Sequence, residues 1–219
     1  MKLQNLSNFE RGDFYSVSNK LVLWQMIDEK DLSEFSFQNV KFFNCNFRNV
    51  AFTASEAYSL IFCNCRFNQV SFSKTNLIDI SFRNCKLIDC SFGSSDSYCV
   101  RYLNCLLNRV YFNAADLMDF EFEKSQLLDV SFVGSDVLDL RIKDSILKDI
   151  GFHYMTVSKT FSENGTLIIK DISIQDYTSF LKEFVSCNNF TYQELISRSL
   201  KVLAVSIGLG ITFILFNIT

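Results

Sequence analysis

Four cysteines are the residues of this sequence whose type and spacing most strongly suggest chemistry. They recur at a constant interval of 20 residues, as Cys45, Cys65, Cys85 and Cys105. The chain has 8 cysteines in 219 residues, and cysteine thiolates are good ligands for zinc. Because the N-terminal residues contain no apolar run of the length found in secretory signals, we expect a reducing compartment and free thiols.

The single histidine, His153, cannot build a catalytic triad or a metal site alone. The sequence also contains no GxGxxG motif and no Walker loop for binding phosphates. We therefore expect no enzymatic activity, no cofactor and no metal site.

A period of five residues organises the chain from Leu32 to Val157. Of the 26 positions whose numbers end in 2 or 7, 24 are apolar, and the exceptions are Ser97 and the small Ala57. Neither a helix, with 3.6 residues per turn, nor a strand, with an alternation of two, has this period. A second regular set lies two residues earlier in each unit, such as Val40 and Cys45. Each unit should thus direct two side chains inward and three outward.

Units such as Thr75-Asn76-Leu77, Ala115-Asp116-Leu117 and Ser135-Asp136-Val137 resemble those of the pentapeptide-repeat family, whose unit reads approximately A-(D/N)-L-x-x. The resemblance covers about 126 of the 219 residues. It implies an all-β solenoid, a right-handed quadrilateral β-helix with 20 residues per coil and about six coils over residues 32–160. On two of the four sides Val, Ile or Leu replaces the small residue of the consensus, which predicts a wider coil there.

A 20-residue coil stacks the four cysteines in a file, one coil apart. Coils stack at the strand spacing of roughly 4.8 Å, whereas zinc needs its sulfurs about 2.3 Å from one point. We therefore expect these cysteines to pack in the core as small hydrophobes. The predicted core consists of Cys45, Cys65, Cys85, Cys105, Phe72, Phe92, Phe112 and Phe132. A parallel column of asparagines (44, 64, 84 and 104) should occupy a corner, where asparagine favours turns and stacked amides can bond to one another.

The two ends of the chain depart from the period. Residues 1–31 break phase, and we expect an N-terminal cap built around the apolar run 21–24. Residues 161–190 are predicted to form a capping turn and an amphipathic helix over 176–187, and residues 191–219 a helix.

The C-terminal helix ends in an apolar tail. Leu200–Ile218 would span about 28 Å as a helix, close to a bilayer core of roughly 30 Å. With Arg198 and Lys201 on its N-terminal side, this tail predicts a transmembrane anchor that leaves the rod on the cytoplasmic side. The alternative is a C-terminal helix that forms a homodimer.

One side of the predicted rod differs from the others, and we call it the stripe wall. It is built from the units centred on 57, 77, 97, 117 and 137. Its outward positions carry the apolar stripe Tyr58, Ile78, Tyr98, Met118 and Leu138, flanked by Asp96, Asp116, Asp119, Asp136 and Asp139. An exposed apolar stripe marks a partner surface, unless the N-terminal segment or a helix of the same chain covers it.

These features predict a non-enzymatic scaffold, tethered to a membrane by its tail, that binds a protein partner through the stripe wall. A net charge of −3 argues against direct nucleic-acid binding. The family resemblance also implies two alternatives. Some pentapeptide-repeat proteins mimic duplex DNA and bind DNA gyrase, giving quinolone or toxin resistance, and here the five aspartates of the stripe wall would carry the mimicry. Others are secreted bacterial effectors.

Overall fold

The computed structural model describes residues 2–3, 16–152, 154–163, 166–170 and 212–214, which form strands joined by tight corners. The strands are Lys2–Leu3 (β1), Ser16–Ser18 (β2), Lys20–Leu23 (β3), Met26–Asp28 (β4), Ser36–Gln38 (β5), Lys41–Phe43 (β6), Asn46–Arg48 (β7), Glu56–Cys63 (β8), Arg66–Asn68 (β9), Asn76–Arg83 (β10), Lys86–Ser91 (β11), Asp96–Leu103 (β12), Leu106–Tyr111 (β13), Asp116–Glu123 (β14), Gln126–Ser131 (β15), Asp136–Lys143 (β16), Ile146–Gly151 (β17), Thr156–Glu163 (β18), Thr166–Lys170 (β19) and Thr212–Ile214 (β20).

From β2 to β19, each strand pairs in parallel with its counterpart on the next coil. In β10 and β12, for example, Ile78 faces Tyr98 and Phe82 faces Tyr102. This pairing of residues that are 20 apart in the sequence generates an all-β solenoid of about seven turns. Its strands form an 11-stranded and a 9-stranded sheet. Equivalent residues of successive coils therefore lie directly above one another and form columns that run along the axis of the solenoid.

Four corners per coil arise from a left-handed backbone conformation at every fifth residue. Each residue from 19 to 154 whose number ends in 4 or 9 has a positive φ, and only Gly134 among them is glycine. Asparagine and aspartate tolerate this conformation better than other side chains, and they occupy many of the corners. The corner N–H groups donate to the next coil, as from Asn84 to the carbonyl of Leu103 at 2.9 Å. This ladder offsets the backbone strain.

Columns of stacked rings fill the lumen. Phe92 is fully buried, with its ring centroid 4.9 Å from Phe72 on one side and 4.9 Å from Phe112 on the other. The next rung of the same column, Phe112 to Phe132, is 5.0 Å. Burying one such side chain contributes roughly 1.5–3 kcal/mol, and the repetition of this contribution holds successive coils together.

The solenoid begins earlier than the expected boundary at residue 32. Val17, Val22 and Ile27 occupy the central inward positions and are buried, and β2, β3 and β4 pair with the coil above. The sequence period is obscured here because Lys20 and Gln25 stand two residues before the centre, where later coils carry apolar or small residues. Both are only half-buried at this end of the rod. Residues 16–31 thus form a further coil rather than a break in phase.

The apolar residues 21–24, expected to pack together as a cap, do not all lie on the same side of the backbone in this coil. Val22 is buried, whereas the Trp24 side chain stands at a corner and is 76% exposed. At the other end, the predicted helix over 176–187 lies outside the described residues, and so does most of the tail. The three described tail residues, Thr212–Ile214, form a strand that pairs antiparallel with β19. Within the part of the chain that the structure describes, no helix is long and apolar enough to cross a bilayer.

Candidate functional site

The file of cysteines lies inside the lumen. All four side chains are buried, and their thiols donate to backbone carbonyls of the coil below, as Cys85 Sγ does to Phe62 O at 3.4 Å. Burial raises the pKa of Cys85, and it raises the pKa of Cys90 in the neighbouring column to about 12. Protonated and enclosed thiols such as those of Cys85 and Cys90 are poor nucleophiles and poor metal ligands. Among the described residues no cluster of three or more His, Cys, Asp or Glu could hold a metal ion, and His153 is not among these residues.

The asparagine column forms a ladder at the corner beside the cysteines. The Asn84 side-chain amide donates to Asn64 Oδ1 at 3.2 Å, and Asn104 donates to Asn84 Oδ1 at 2.8 Å. All three residues have positive φ. Both the backbone and the side chains of this column therefore have a structural role, and the outer side of each amide faces solvent.

The stripe wall lies on β8, β10, β12, β14 and β16, where parallel pairing sets its apolar side chains in one column. Ile78 faces Tyr98, Tyr98 faces Met118, and Met118 faces Leu138 on successive coils. The Tyr98 side chain is 51% exposed and that of Met118 is 43% exposed, while Ile78 and Leu138 are half-buried. The wall thus presents a continuous apolar strip whose centre faces solvent.

A column of carboxylates runs beside this strip. Asp96 faces Asp116, and Asp116 faces Asp136, with all three side chains exposed. Together with the stripe they line a shallow surface groove of about 490 Å³, which also includes Asn76 and Thr156. In the described part of the chain, none of the three carboxylates has a cation within ion-pair distance. The groove therefore combines apolar contact area with uncompensated negative charge.

Three residues predicted for the stripe wall do not line this groove. Tyr58 is half-buried one coil below it. Asp119 and Asp139 occupy corners with φ of 51° and 55°. The Asp119 carboxylate accepts from Arg141 Nη1 at 2.5 Å, so its charge is already paired within the chain.

Sequence reasoning missed a second groove, which we call the basic groove, at the corner that carries the asparagine ladder. Its charged residues are Arg66, Lys86 and Lys124, and its volume is about 480 Å³. The asparagines 64, 84 and 104 line it as well. A signal was present in the sequence, because Arg66 and Lys86 lie one coil apart and precede the centres of equivalent units.

The comparison with protein families decides the identity of the repeat. The model of the pentapeptide repeat region matches residues 35–110. Residues 35–110 are a pentapeptide repeat region. The five-residue spacing of corners and the parallel pairing continue in the structure on both sides of the matched segment, from β2 to β18. A search of curated proteins found no match.

Several solved structures are similar to this chain at low sequence identity. The chain is similar to a trypsin-treated variant of QnrB1, a plasmid-mediated fluoroquinolone resistance protein, with 15% identity, a TM-score of 0.51, and coverage of 91% of this chain and 95% of that one. For full-length QnrB1 the identity is 16% and the TM-score 0.39, over 66% of this chain and 87% of that chain. For HetL, a protein involved in heterocyst differentiation regulation from Nostoc sp. strain PCC 7120, the values are 12% and 0.25, over 67% and 86%. The first of these likenesses supports the solenoid fold.

Proposed function

We propose that this pentapeptide-repeat protein is a non-enzymatic interaction scaffold that binds a protein partner through the stripe wall. The observation that carries the proposal is the exposed column of Tyr98 and Met118 beside the unpaired carboxylates of Asp96, Asp116 and Asp136. Tyrosine and methionine are enriched at protein interfaces, and uncompensated carboxylates favour a basic partner surface and accelerate its association.

The solenoid suits this role because its wall is rigid before binding. The backbone of β12 and β14 is paired to a neighbouring strand on both sides, and the side chains beneath the stripe pack in a closed core. Binding then requires little loss of backbone conformational entropy, which is one of the unfavourable terms in the free energy of association. Only the exposed side chains lose rotamer freedom on binding.

Replacing both Tyr98 and Met118 by aspartate should abolish partner binding while leaving the fold intact. The side chains point to solvent, so the added carboxylates face water in the free protein but would be buried in the interface. We expect at least a tenfold loss of the captured partner in a quantitative pull-down from the native cells, with an unchanged circular dichroism spectrum.

The matched control is Tyr111→Asp, which alters a tyrosine that is 39% exposed outside the stripe wall. This variant should retain the partner that the wild-type protein captures. Equal capture by all three proteins would refute the stripe wall as a binding surface. A lower melting temperature of the double variant, without loss of a partner, would instead indicate that the chain's own residues cover the wall.

DNA gyrase is the second candidate for the partner, favoured by the straight column of Asp96, Asp116 and Asp136. Carboxylates in such a column can imitate the phosphates of a duplex. If gyrase is the captured protein, duplex DNA should compete with the wild-type chain for it, because both would occupy the same basic channel. A captured partner that duplex DNA does not displace would exclude mimicry.

The tail supports a membrane tether as a further part of the proposal, because no charged residue follows Lys201. A lipid-embedded segment must satisfy its backbone internally, so Thr212–Ile214 would have to leave β19 and join a helix. Full-length protein should then sediment with membranes on cell fractionation, and a chain ending at residue 196 should not. Full-length protein in the soluble fraction would rule out the tether.

A further inference from the structure

The basic groove lies two units further along each coil than the stripe wall, and so on the opposite side of a four-cornered rod. Arg66 and Lys86 are exposed, and they are paired with each other on the adjacent strands β9 and β11. In the described part of the chain neither has an ion-pair partner, whereas Lys124 contacts Glu123 at 3.3 Å. The rod therefore has an unpaired basic column on one side and an unpaired acidic column on the other.

Both columns repeat once per coil, which restricts what can bind along them. Stacked rings on adjacent coils lie 4.8 Å apart for Phe42 and Phe62 and 5.0 Å apart for Phe62 and Phe82. An extended acidic peptide places side chains of one face roughly 6.6 Å apart, so it would lose register within two residues. Another coil of the same kind presents one carboxylate per rung and stays in register with the groove.

We propose that the basic groove is the docking site for the stripe wall of a second copy of this chain, with the two rods side by side. This inference rests on the proposed function, since it uses the stripe wall as a binding surface and names one of its partners. Charge complementarity and the common coil repeat are the two observations that select a second copy.

One axial offset matches the two surfaces well for rods that run in the same direction. A shift of two and a half coils, or about 12 Å, sets Arg66 against Asp116 and Lys86 against Asp136. The same shift sets Leu106 of the groove against Thr156 rather than against a carboxylate. Because the contact joins two different surfaces, each bound pair keeps one free groove and one free wall, and the contact can propagate into a row of rods.

The test uses charge reversal in the full-length chain, followed by sedimentation velocity at low and high salt. One variant carries Arg66→Glu with Lys86→Glu, and the other carries Asp116→Lys with Asp136→Lys. Wild-type protein should associate at low ionic strength and dissociate in about 0.5 M salt, where the screening length is only a few ångströms. Each variant alone should associate about tenfold more weakly or worse, because its two surfaces then have the same sign.

An equimolar mixture of the two variants should regain association, since each altered surface finds its complement. The exposed Lys74→Glu, at a corner outside the groove, serves as the control and should behave as wild type. Wild-type protein that is monomeric at low salt, or association that neither reversal affects, would overturn the inference. If the wild type does not self-associate but the Tyr98 and Met118 variant still loses an external partner, the proposed function stands and this inference fails.

Discussion

Substituting Phe92 by aspartate should unfold the middle coils of the solenoid. The Phe92 ring is fully buried between Phe72 and Phe112, and it makes edge contacts with Phe82 and Tyr102 at centroid distances of 6.3 and 6.5 Å. Removing the ring alone would cost about 3–5 kcal/mol, and an unpaired buried carboxylate adds several kcal/mol. We expect a loss of cooperative thermal unfolding, measured by circular dichroism.

A conservative control separates packing from charge at the same position. Phe92→Leu retains an apolar side chain and should cost only a few kcal/mol, leaving a folded protein with a lower melting temperature. Tyr98→Asp places the same carboxylate on the outside of the rod, one unit further along the chain, and should leave the melting temperature nearly unchanged. Equal destabilisation by Phe92→Asp and Tyr98→Asp would contradict the inward and outward assignment on which the stripe wall depends.

Removing one complete coil should preserve the fold, whereas removing a slightly shorter segment should not. Deleting residues 86–105 joins Cys85 to Leu106, and the new junction is equivalent to the native one between Cys105 and Leu106. Every column above the deletion then moves down one coil without changing sides. The shortened protein should unfold in one cooperative transition.

Deleting residues 86–103 instead joins Cys85 to Asn104, so that Asn104 and Cys105 remain as an excess in the coil at the junction. That coil is too long to close four equal sides. The columns above and below then fall out of register, and the ladder of backbone hydrogen bonds breaks at the junction. The loss of several kcal/mol should lower the melting temperature by about 10 °C or more relative to the deletion of a complete coil. Similar unfolding curves for the two deletions would refute the coil length that defines the columns.

The repeat made the inward positions predictable because a period of five with no insertion leaves little freedom in where each side chain points. Phe92 and Cys85 follow directly from the count, and their burial is a consequence of the coil. The first coil escaped prediction for a local reason. Lys20 and Gln25 replace apolar or small residues on the first coil, where both are only half-buried, so the sequence signal fades before the backbone pairing does.

Features that depend on lateral neighbours could not be predicted from the repeat alone. Asp119 and Asp116 look alike in the sequence, yet the corner position of Asp119 places it beside Arg141 on the next coil, and its charge is paired. The basic groove likewise needs the corner geometry, because Arg66 and the asparagine ladder belong to different units. The 20-residue period predicts the coil and the column to which each residue belongs, but the geometry of the corners determines which columns are neighbours.

The central claim is that the stripe wall contacts a protein partner, and photo-crosslinking inside the native cell tests it most directly. The photoreactive residue p-benzoylphenylalanine would replace Tyr98 in one variant and Tyr111 in another, since both tyrosines are exposed aromatic residues of the same rod. We predict a discrete crosslinked species from position 98 and none of that mass from position 111. The same crosslink from both positions, or a crosslink from position 111 alone, would contradict the account.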